Sequence, residues 1–495
     1  MKFTQILDIF GSELIMPNFF HSQLRHAIYF ASRLNQLNKM YLRGGEEISP
    51  ALTSLTEEWE NIVRGQSWSA QNASINSYAA ELTIDYPDAG TQILLLYQHP
   101  LERIQWRKIA LALSEKKNHV AAIGANLANL GLAYLDLGQL RKAVDYFLPA
   151  LEKTSSVGDQ KGEAIVRINL GNTYLLIGLA DQALEQFNHA LSLSRKINDQ
   201  RSESNALLGI GSALVISRQN TKAIEIYQQA LAIIRRIQNQ RAEASLVANI
   251  GLAYFELGQI RQAHEWFNQA LLMARKIGDQ DIEFHSLINI GRVYLNMDEP
   301  DQSLTLFSQA LLIAKESNNE RNRAIAIENI GFSFEVLGNL KDAAVKYQEA
   351  FEICEQIDDR MHLGRVLLNL SSIFLKTGEI KLTITALRQA LMLGRSIKDV
   401  TIEVNALAIW GVAYQTRNKF QRARACFEQQ LELAKKINYA RGQGKAYWNL
   451  SLLYHAQGNK QKAIEWGNKT LEIYNKLEYA EITAIKSQLA EWQNE

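Results

Sequence analysis

A 40-residue period runs through most of this chain and constrains its fold more than any other feature. When the sequence is shifted by 40 residues, one glycine position recurs, with serine in two places. The residues are Gly131, Gly171, Gly211, Gly251, Gly291, Gly331, Ser371, Gly411 and Ser451. No insertion or deletion disturbs the period from about residue 121 to residue 475. Such a period indicates stacked supersecondary repeats, which bury a core only by packing on their neighbours.

Each repeat predicts two helices, for example about Ala122–Asp136 and Leu140–Ser155. The first helix carries an apolar stripe at helical spacing that ends on Tyr134. Gly131 lacks a side chain where the second helix must approach, and Gly138 supplies the left-handed residue that ends the first helix. Two prolines test this interpretation. Pro300 falls in a first helical turn, where proline is tolerated, whereas Pro149 predicts a kink or an early helix end.

The spacing within a unit resembles the tetratricopeptide repeat. Leu130–Tyr134 reads L-G-x-x-Y and Ala143–Phe147 reads A-x-x-x-F, although the unit has 40 residues rather than roughly 34 and lacks the terminal proline. The A-R-x-I-G-D ending at Ala274–Asp279 is similar to a subclass that includes kinesin light chains and the GoLoco-motif polarity adaptors. The resemblance implies an all-α fold, a right-handed superhelix (α-solenoid) of antiparallel helix pairs.

The period and its flanks predict four regions. Residues 1–75 form an N-terminal helical segment and residues 76–118 a divergent opening helix pair. Residues 119–476 hold nine repeats of 40 residues, and residues 477–495 form a capping helix. A cap is expected because the last repeat of an array has no successor to cover its apolar face.

The first hundred residues carry a second resemblance. Three stretches are similar to the segment that joins the nucleotide-binding core of bacterial STAND-type (NB-ARC-like) signalling ATPases to their repeat arms: Tyr41–Gly45, Glu58–Trp68 and His99–Trp106. The sequence has no phosphate-binding loop, because Gly442–Lys445 lacks the required spacing and Ala446 replaces the hydroxyl residue. The resemblance implies a detached sensor arm, a truncated descendant, or a partner of such an ATPase in trans.

An asparagine recurs two residues before the repeat glycine and is the main candidate for a binding site. The series is Asn129, Asn169, Asn249, Asn289, Asn329, Asn369 and Asn449, interrupted by Gly209 and Ile409. An amide side chain donates and accepts hydrogen bonds, so it can bond both groups of a peptide unit. The resemblance places this position on the concave groove, where a similar ladder grips extended peptides in the related families.

Three other residues are expected in the same groove: Arg292, Phe332 and Trp448. Side chains of this kind would select a partner while the amides grip its backbone. A structural alternative stays open, in which the asparagines bond neighbouring helices and the apolar residues pack between repeats.

Composition narrows the function classes. The formal net charge is +1, from 53 basic and 52 acidic residues, which does not fit a nucleic-acid binder. No apolar run is long enough for a membrane span, and two cysteines do not make a disulfide framework. His264 and Glu265 are not followed by a second histidine at metal-binding spacing. A cytoplasmic, non-enzymatic protein without cofactor or metal is therefore expected.

Three functions remain open on the sequence. The first is a scaffold that binds a protein or an extended peptide in the concave groove. The second is the ligand-sensing arm of a STAND-type signalling or transcription regulator that lacks its own ATPase domain. The third, an enzyme such as a phosphatase, would need catalytic residues in an N-terminal bundle, and residues 20–75 show no cluster to nominate.

Overall fold

The computed structural model describes residues 19–43, 47–397, 399–476 and 482–494, and within these ranges it contains helices and no strand. The all-α prediction is confirmed. Residues 1–18 of the expected N-terminal segment, and residues 477–481 and 495 of the expected cap, lie outside the described ranges. The chain divides into two compact units, Met1–Ala206 and Leu207–Glu495.

Unit 1 opens with a helix bundle and continues into repeats. The bundle helices are α1 Phe19–Arg43, α2 Ile48–Asn72, α3 Ser77–Ala89, α4 Ile93–Tyr97 and α5 Pro100–Lys116. The repeat helices that follow are α6 Val120–Asp136, α7 Leu140–Ser156, α8 Gln160–Ile177 and α9 Ala180–Lys196. Helix α10, Gln200–Ile216, begins in unit 1 and ends in unit 2.

The bundle core is held by one close crossing. The Tyr86 hydroxyl donates to the carbonyl of Ala27 at 2.8 Å, and the tyrosine is fully buried. Gly65 leaves the space that this ring occupies, because a Cβ there would collide with the Tyr86 hydroxyl. Asn38 accepts hydrogen bonds from the backbone N–H groups of Gln92 and Ile93, both at 3.0 Å, and so ties α4 to α1. A bundle with its own apolar core therefore precedes the repeats.

Unit 2 consists of paired helices of nearly equal length. They are α11 Asn220–Arg236, α12 Gln240–Glu256, α13 Ile260–Ile277, α14 Gln280–Asn296, α15 Pro300–Glu316, α16 Glu320–Val336 and α17 Leu340–Gln356. The series continues with α18 Arg360–Lys376, α19 Ile380–Ile397, α20 Val400–Gln415, α21 Phe420–Lys436, α22 Ala440–Ala456, α23 Lys460–Lys476 and α24 Ile482–Asn494. Each helix packs against the next in chain order, as an α-solenoid requires.

Short turns of one kind join the helices. At the turns between repeat helices a residue at the C-cap or just after it has a positive φ, and it is glycine at eight of these turns, for example φ +69° at Gly138 and +85° at Gly178. Elsewhere asparagine or aspartate takes this conformation at lower cost than most residues, but Arg218 (φ +58°) and Gln238 (φ +54°) also hold it. Many of the next helices start with a side-chain cap, as where Asp159 accepts from the Gly162 N–H at 2.9 Å.

The recurring glycine accommodates an aromatic ring from the second helix of the same repeat. A Cβ at Gly171 would lie 2.7 Å from the ring of Phe187, which is fully buried. The exceptions follow the same rule. Where Ser371 and Ser451 replace glycine, the residue sixteen positions later is Leu387 or Gly467 instead of an aromatic. The prediction that glycine permits close helix approach is confirmed.

The structure agrees with the prediction for Pro300 and disagrees with an early helix end at Pro149. Pro300 occupies the first turn of α15, as expected. The predicted early helix end at Pro149 is wrong, because α7 continues to Ser156. One missing backbone hydrogen bond in a helix held by fully buried Phe147 and Ala150 does not end it, since tertiary packing outweighs local propensity.

Within unit 2 the first helices of successive repeats contact each other, whereas the second helices do not approach one another comparably. The first helices, α12, α14, α16, α18, α20 and α22, therefore line the shorter, inner side of the stack. This arrangement positions the residues considered next.

Candidate functional site

The candidate site of unit 2 is the surface of its first helices that carries the recurring asparagine position, which we call the inner face. Each repeat contributes this position and the residue three places later. The pairs are Asn249 and Leu252, Asn289 and Arg292, Asn329 and Phe332, Asn369 and Ser372, Ile409 and Val412, and Asn449 and Leu452. All six come from equivalent points of helices with equal phase, so the face is one continuous stripe.

Three of the unit 2 asparagines already bond protein groups. Asn329, which is 7% exposed, accepts from Arg292 Nε at 3.1 Å and donates to the Ile325 carbonyl at 2.6 Å. Asn369 donates to Glu328 Oε1 at 3.1 Å. Asn449 donates to Gln430 at 3.4 Å. These amides stabilise the stacking of repeats, as the structural alternative expected.

Two others in unit 2 have no such partner. Asn249 and Asn289 are half-buried, and neither side chain makes a hydrogen bond to another described residue. A half-buried amide without a protein partner keeps both its donor and its acceptor available. The unit 2 series thus divides into two free amides followed by three engaged ones.

The two asparagines of unit 1 form a similar contrast. Asn129 donates to the Ala125 carbonyl of its own helix at 3.0 Å. Asn169 is half-buried, and its side chain makes no hydrogen bond within the described ranges.

A polar network that the sequence did not predict connects the inner face between repeats. Buried Glu328 accepts from Arg365 at 3.2 Å as well as from Asn369. Glu335 accepts from Lys376 at 2.8 Å and from Ser372 at 3.1 Å, and its second oxygen accepts from Tyr347 at 2.9 Å. Several of these pairs are 37 or 41 residues apart, which is one period minus or plus a fraction of a helical turn. That spacing is the signal that could have revealed them.

The three further predicted site residues lie in different surroundings. Arg292 lies on the inner face, surrounded by protein yet partly reached by solvent. Phe332 is 42% exposed, which is unusual for phenylalanine. Trp448 stacks on Trp492 of the last helix α24, with ring centroids 5.8 Å apart and planes 11° apart. The open part of the face therefore includes Arg292 and Phe332, whereas Trp448 is covered by the chain itself.

Two turns remote in sequence meet in unit 2. The Arg218 guanidinium lies 5.0 Å from the ring centroid of Tyr439, and its NH1 donates to Glu256 at 2.6 Å. Burial raises the pKa of the Tyr439 hydroxyl, and the nearby cations Arg441 and Arg218 oppose that rise. We call this contact the Arg218 clasp. It joins early and late repeats of unit 2.

Unit 1 has a separate cavity of about 550 Å³ between α3 and the start of α6. Three acidic residues of α3 line it, and Ala121, Ala122 and Ala125 form part of the opposite wall. Burial raises the pKa of Asp85 there, and repulsion from Asp88 adds to the rise. Asp88 is itself paired with Arg107.

Comparison with known families supports the prediction of tetratricopeptide repeats. The sequence profile described as the MalT-like TPR region matches residues 155–365, and two tetratricopeptide repeat profiles match residues 125–152 and 403–476. Together these matches cover more than half of the chain. No curated protein sequence matches it. None of the described helices is long and apolar enough to cross a membrane.

Solved structures share the fold at low sequence identity. The apo form of the quorum sensor NprR from B. thuringiensis superposes with a TM-score of 0.52 at 16% identity, covering 75% of this chain and 97% of that one. A Rap protein complexed with competence and sporulation factor gives 0.49 at 15% identity, covering 71% and 99%. Repeats described as those of a kinesin light chain from Podosopora anserina give 0.35 at 17%, covering 40% and 98%.

Proposed function

Since this chain is a tetratricopeptide repeat protein, we propose that it is a non-enzymatic scaffold whose inner face in unit 2 binds an extended peptide. The single observation that carries the proposal is the pair of free amides, Asn249 and Asn289, on adjacent repeats of that face. Amides at equal height on neighbouring helices can bond peptide units about two to three residues apart in an extended chain, because packed helices lie ~8–10 Å apart and the chain advances ~3.4 Å per residue. Such bonds hold the backbone without reading its sequence.

Two features support the proposal. Exposed Phe332 offers an apolar contact beside the free amides, and a solvent-facing aromatic of this kind is typical of binding surfaces. The solved neighbour NprR is a quorum sensor, and we extend the sensing of a ligand from that protein to this chain.

Of the seven asparagines that the sequence predicted to bind a peptide, this proposal gives the main role to Asn249 and Asn289. Asn329, Asn369 and Asn449 keep a supporting role, because each already bonds a side chain of another helix or repeat. Asn129 and Asn169 lie in unit 1 and are proposed as a second, independent contact for a guest chain. Trp448 is proposed to shape the end of the face through its stacking on Trp492.

The test uses the full chain and a displayed library of random linear peptides. Peptides selected on the wild type are measured against N249A/N289A and against N329A. We expect the double variant to bind about tenfold or more weakly with unchanged stability, because lost hydrogen bonds leave guest amides unpaired. We expect N329A to lower stability, because two internal hydrogen bonds are lost.

A backbone readout sharpens the same experiment. Methylating individual amide nitrogens of a selected peptide should weaken wild-type binding at some positions and have no further effect in N249A/N289A. Wild-type affinity in N249A/N289A, combined with weak binding in N329A alone, would contradict the proposal.

The MalT-like match favours one second candidate, the ligand-sensing arm of a STAND-type regulator acting with an ATPase partner in trans. Under this alternative a ligand bound to unit 2 changes the affinity of the chain for such an ATPase. Pull-down of purified nucleotide-binding proteins from the same genome, with and without selected peptides, decides it. If the peptides change the captured amount of none of these nucleotide-binding proteins, this alternative is contradicted. The cytoplasmic location stays a prediction.

A further inference from the structure

Arg292 differs from the other arginines of the inner face because its charge has no carboxylate partner. No carboxylate oxygen of a described residue lies within 4.0 Å of an Arg292 side-chain nitrogen, the limit for an ion pair. Its one side-chain hydrogen bond runs from Nε to Asn329 Oδ1 at 3.1 Å. That bond fixes the guanidinium and leaves both terminal NH2 groups, the fork that suits a carboxylate, without a protein acceptor.

The nearest acidic residues are occupied by other arginines. Glu328 accepts from Arg365 at 3.2 Å, and Glu256 accepts from Arg218 at 2.6 Å. Neither carboxylate is therefore left to pair with Arg292. A partly desolvated guanidinium without a carboxylate partner lowers the stability of the fold, and an anionic ligand that paired with it would offset this penalty.

The electrostatics agree with this geometry. Burial lowers the pKa of Arg292 to about 10, and repulsion from Arg365 adds to the shift, while Glu328 and Glu256 only partly oppose it. An anion that approached the two free NH2 groups would reverse this destabilisation of the charged form.

The equivalent positions on both sides are apolar. Leu252 occupies the place of Arg292 in the preceding repeat, and Phe332 occupies it in the following repeat. Leu252 is half-buried against the repeat core, and Phe332 is 42% exposed. A guest chain that followed the inner face would therefore meet an apolar side chain (Leu252), a cation (Arg292) and a second apolar side chain (Phe332).

We propose that Arg292 is the anchor for a carboxylate of the bound peptide, either an acidic side chain with apolar residues on both sides or the C-terminal group with apolar residues before it. The inference rests on the proposed peptide-binding function and adds the chemical class of the ligand. A peptide that brings no carboxylate to Arg292 is therefore expected to bind weakly.

The first experiment tests the anchor without any peptide. Native wild-type protein is treated with phenylglyoxal, and the rate of modification at Arg292 is followed by mass spectrometry of digests. N-acetylglutamate should lower that rate at least about twofold at saturation, and N-acetylglutamine should not. Equal protection by both compounds, or by neither, overturns the anchor.

The second experiment uses peptides selected on the wild type. We expect them to depend on a Glu or Asp side chain, or on a free C-terminus. Exchange of the acid for its amide, and separately C-terminal amidation, show which source supplies the carboxylate. R292Q should weaken binding of the acidic peptide about tenfold or more, and R292K should restore part of it. The exposed Arg275, paired with Glu283 at 2.8 Å, provides the control R275Q, which removes a charge elsewhere and should have no effect.

The two failures are distinguishable. Selected peptides that bind R292Q as well as wild type, and that tolerate acid-to-amide exchange, overturn the anchor while peptide binding stands. If no peptide is selected, the proposed function fails, and the phenylglyoxal experiment alone then decides the anchor.

Discussion

Replacing Arg218 by glycine separates two opposing contributions of one residue. Its backbone holds φ +58°, a conformation in which the equivalent turns have Gly178, Gly258 and Gly338. The Arg218→Gly variant therefore removes backbone strain and the Arg218 clasp together. Gln238 provides the matched control, because it holds φ +54° at a similar turn and takes no part in the clasp.

The expected magnitudes follow from the contacts. Relief of left-handed strain is worth ~1 kcal/mol in either variant, and the added freedom of glycine in the unfolded chain is common to both and cancels in the comparison. Arg218→Gly also loses the contact to the Tyr439 ring, worth ~0.5–1 kcal/mol at a partly exposed site. The ion pair with Glu256, whose side chains are 25% and 33% exposed, adds at most ~1 kcal/mol. Arg218→Gly should thus be about 0.5–2 kcal/mol less stable than Gln238→Gly.

Urea unfolding followed by tryptophan fluorescence measures this difference, and the slopes of the transitions show whether both variants unfold over the same surface. In a Tyr439→Leu background the difference should shrink by the ~0.5–1 kcal/mol of the ring contact and keep the part that comes from the Glu256 ion pair. If Arg218→Gly and Gln238→Gly change stability equally, the clasp contributes nothing and the reasoning is refuted.

Three further outcomes follow from the structure. Gly171→Ser should cost about 1–3 kcal/mol by crowding the Phe187 ring, and adding Phe187→Leu should recover part of this in urea unfolding, while equal stability of the single and double variants would contradict the packing argument. Burial opposes ionisation of Asp359, but the hydrogen bond and charge of His362 outweigh it, so its pKa falls to about 2. The stability from Asp359 should be present above about pH 4 and lost as the pH falls through 2, and Asp359→Asn should lack this acid-dependent loss of ~2 kcal/mol in acid titrations. Burial raises the pKa of Cys354 to about 12, so a thiol reagent at pH 8 should label it only after unfolding, and rapid labelling of the native protein would show that it is accessible.

The helices could be predicted from the sequence because each depends on contacts within one period. The predicted Leu140–Ser155 differs from the observed Leu140–Ser156 by one residue. Gly131 and Phe147 lie sixteen positions apart, and both the period and the size complementarity are visible in the letters alone. An early helix end at Pro149 was wrongly expected because a local rule was applied where packing of the whole helix decides.

The sequence predicted where the candidate site lies, but it did not predict which of its asparagines are free to bind a ligand. Asn249 and Asn329 occupy the same sequence position, yet one is free and the other bonds Arg292 of the preceding repeat. That difference depends on which side chain the neighbouring repeat presents, and so on the stacking of two helices. The Arg218 clasp depends on the accumulated curvature of several repeats, which no short pattern records.

The most direct test of the account places a photo-reactive benzophenone side chain at one position of the full chain. At Phe332 it lies on the inner face, and at Leu312, which is 57% exposed on α15, it lies away from that face. Each protein is irradiated with peptides selected from the random linear library. The account predicts crosslinks at position 332 that N249A/N289A reduces, with little at position 312. Equal crosslinking at both positions, or crosslinking at 312 alone, would contradict the claim that the inner face carries the guest peptide.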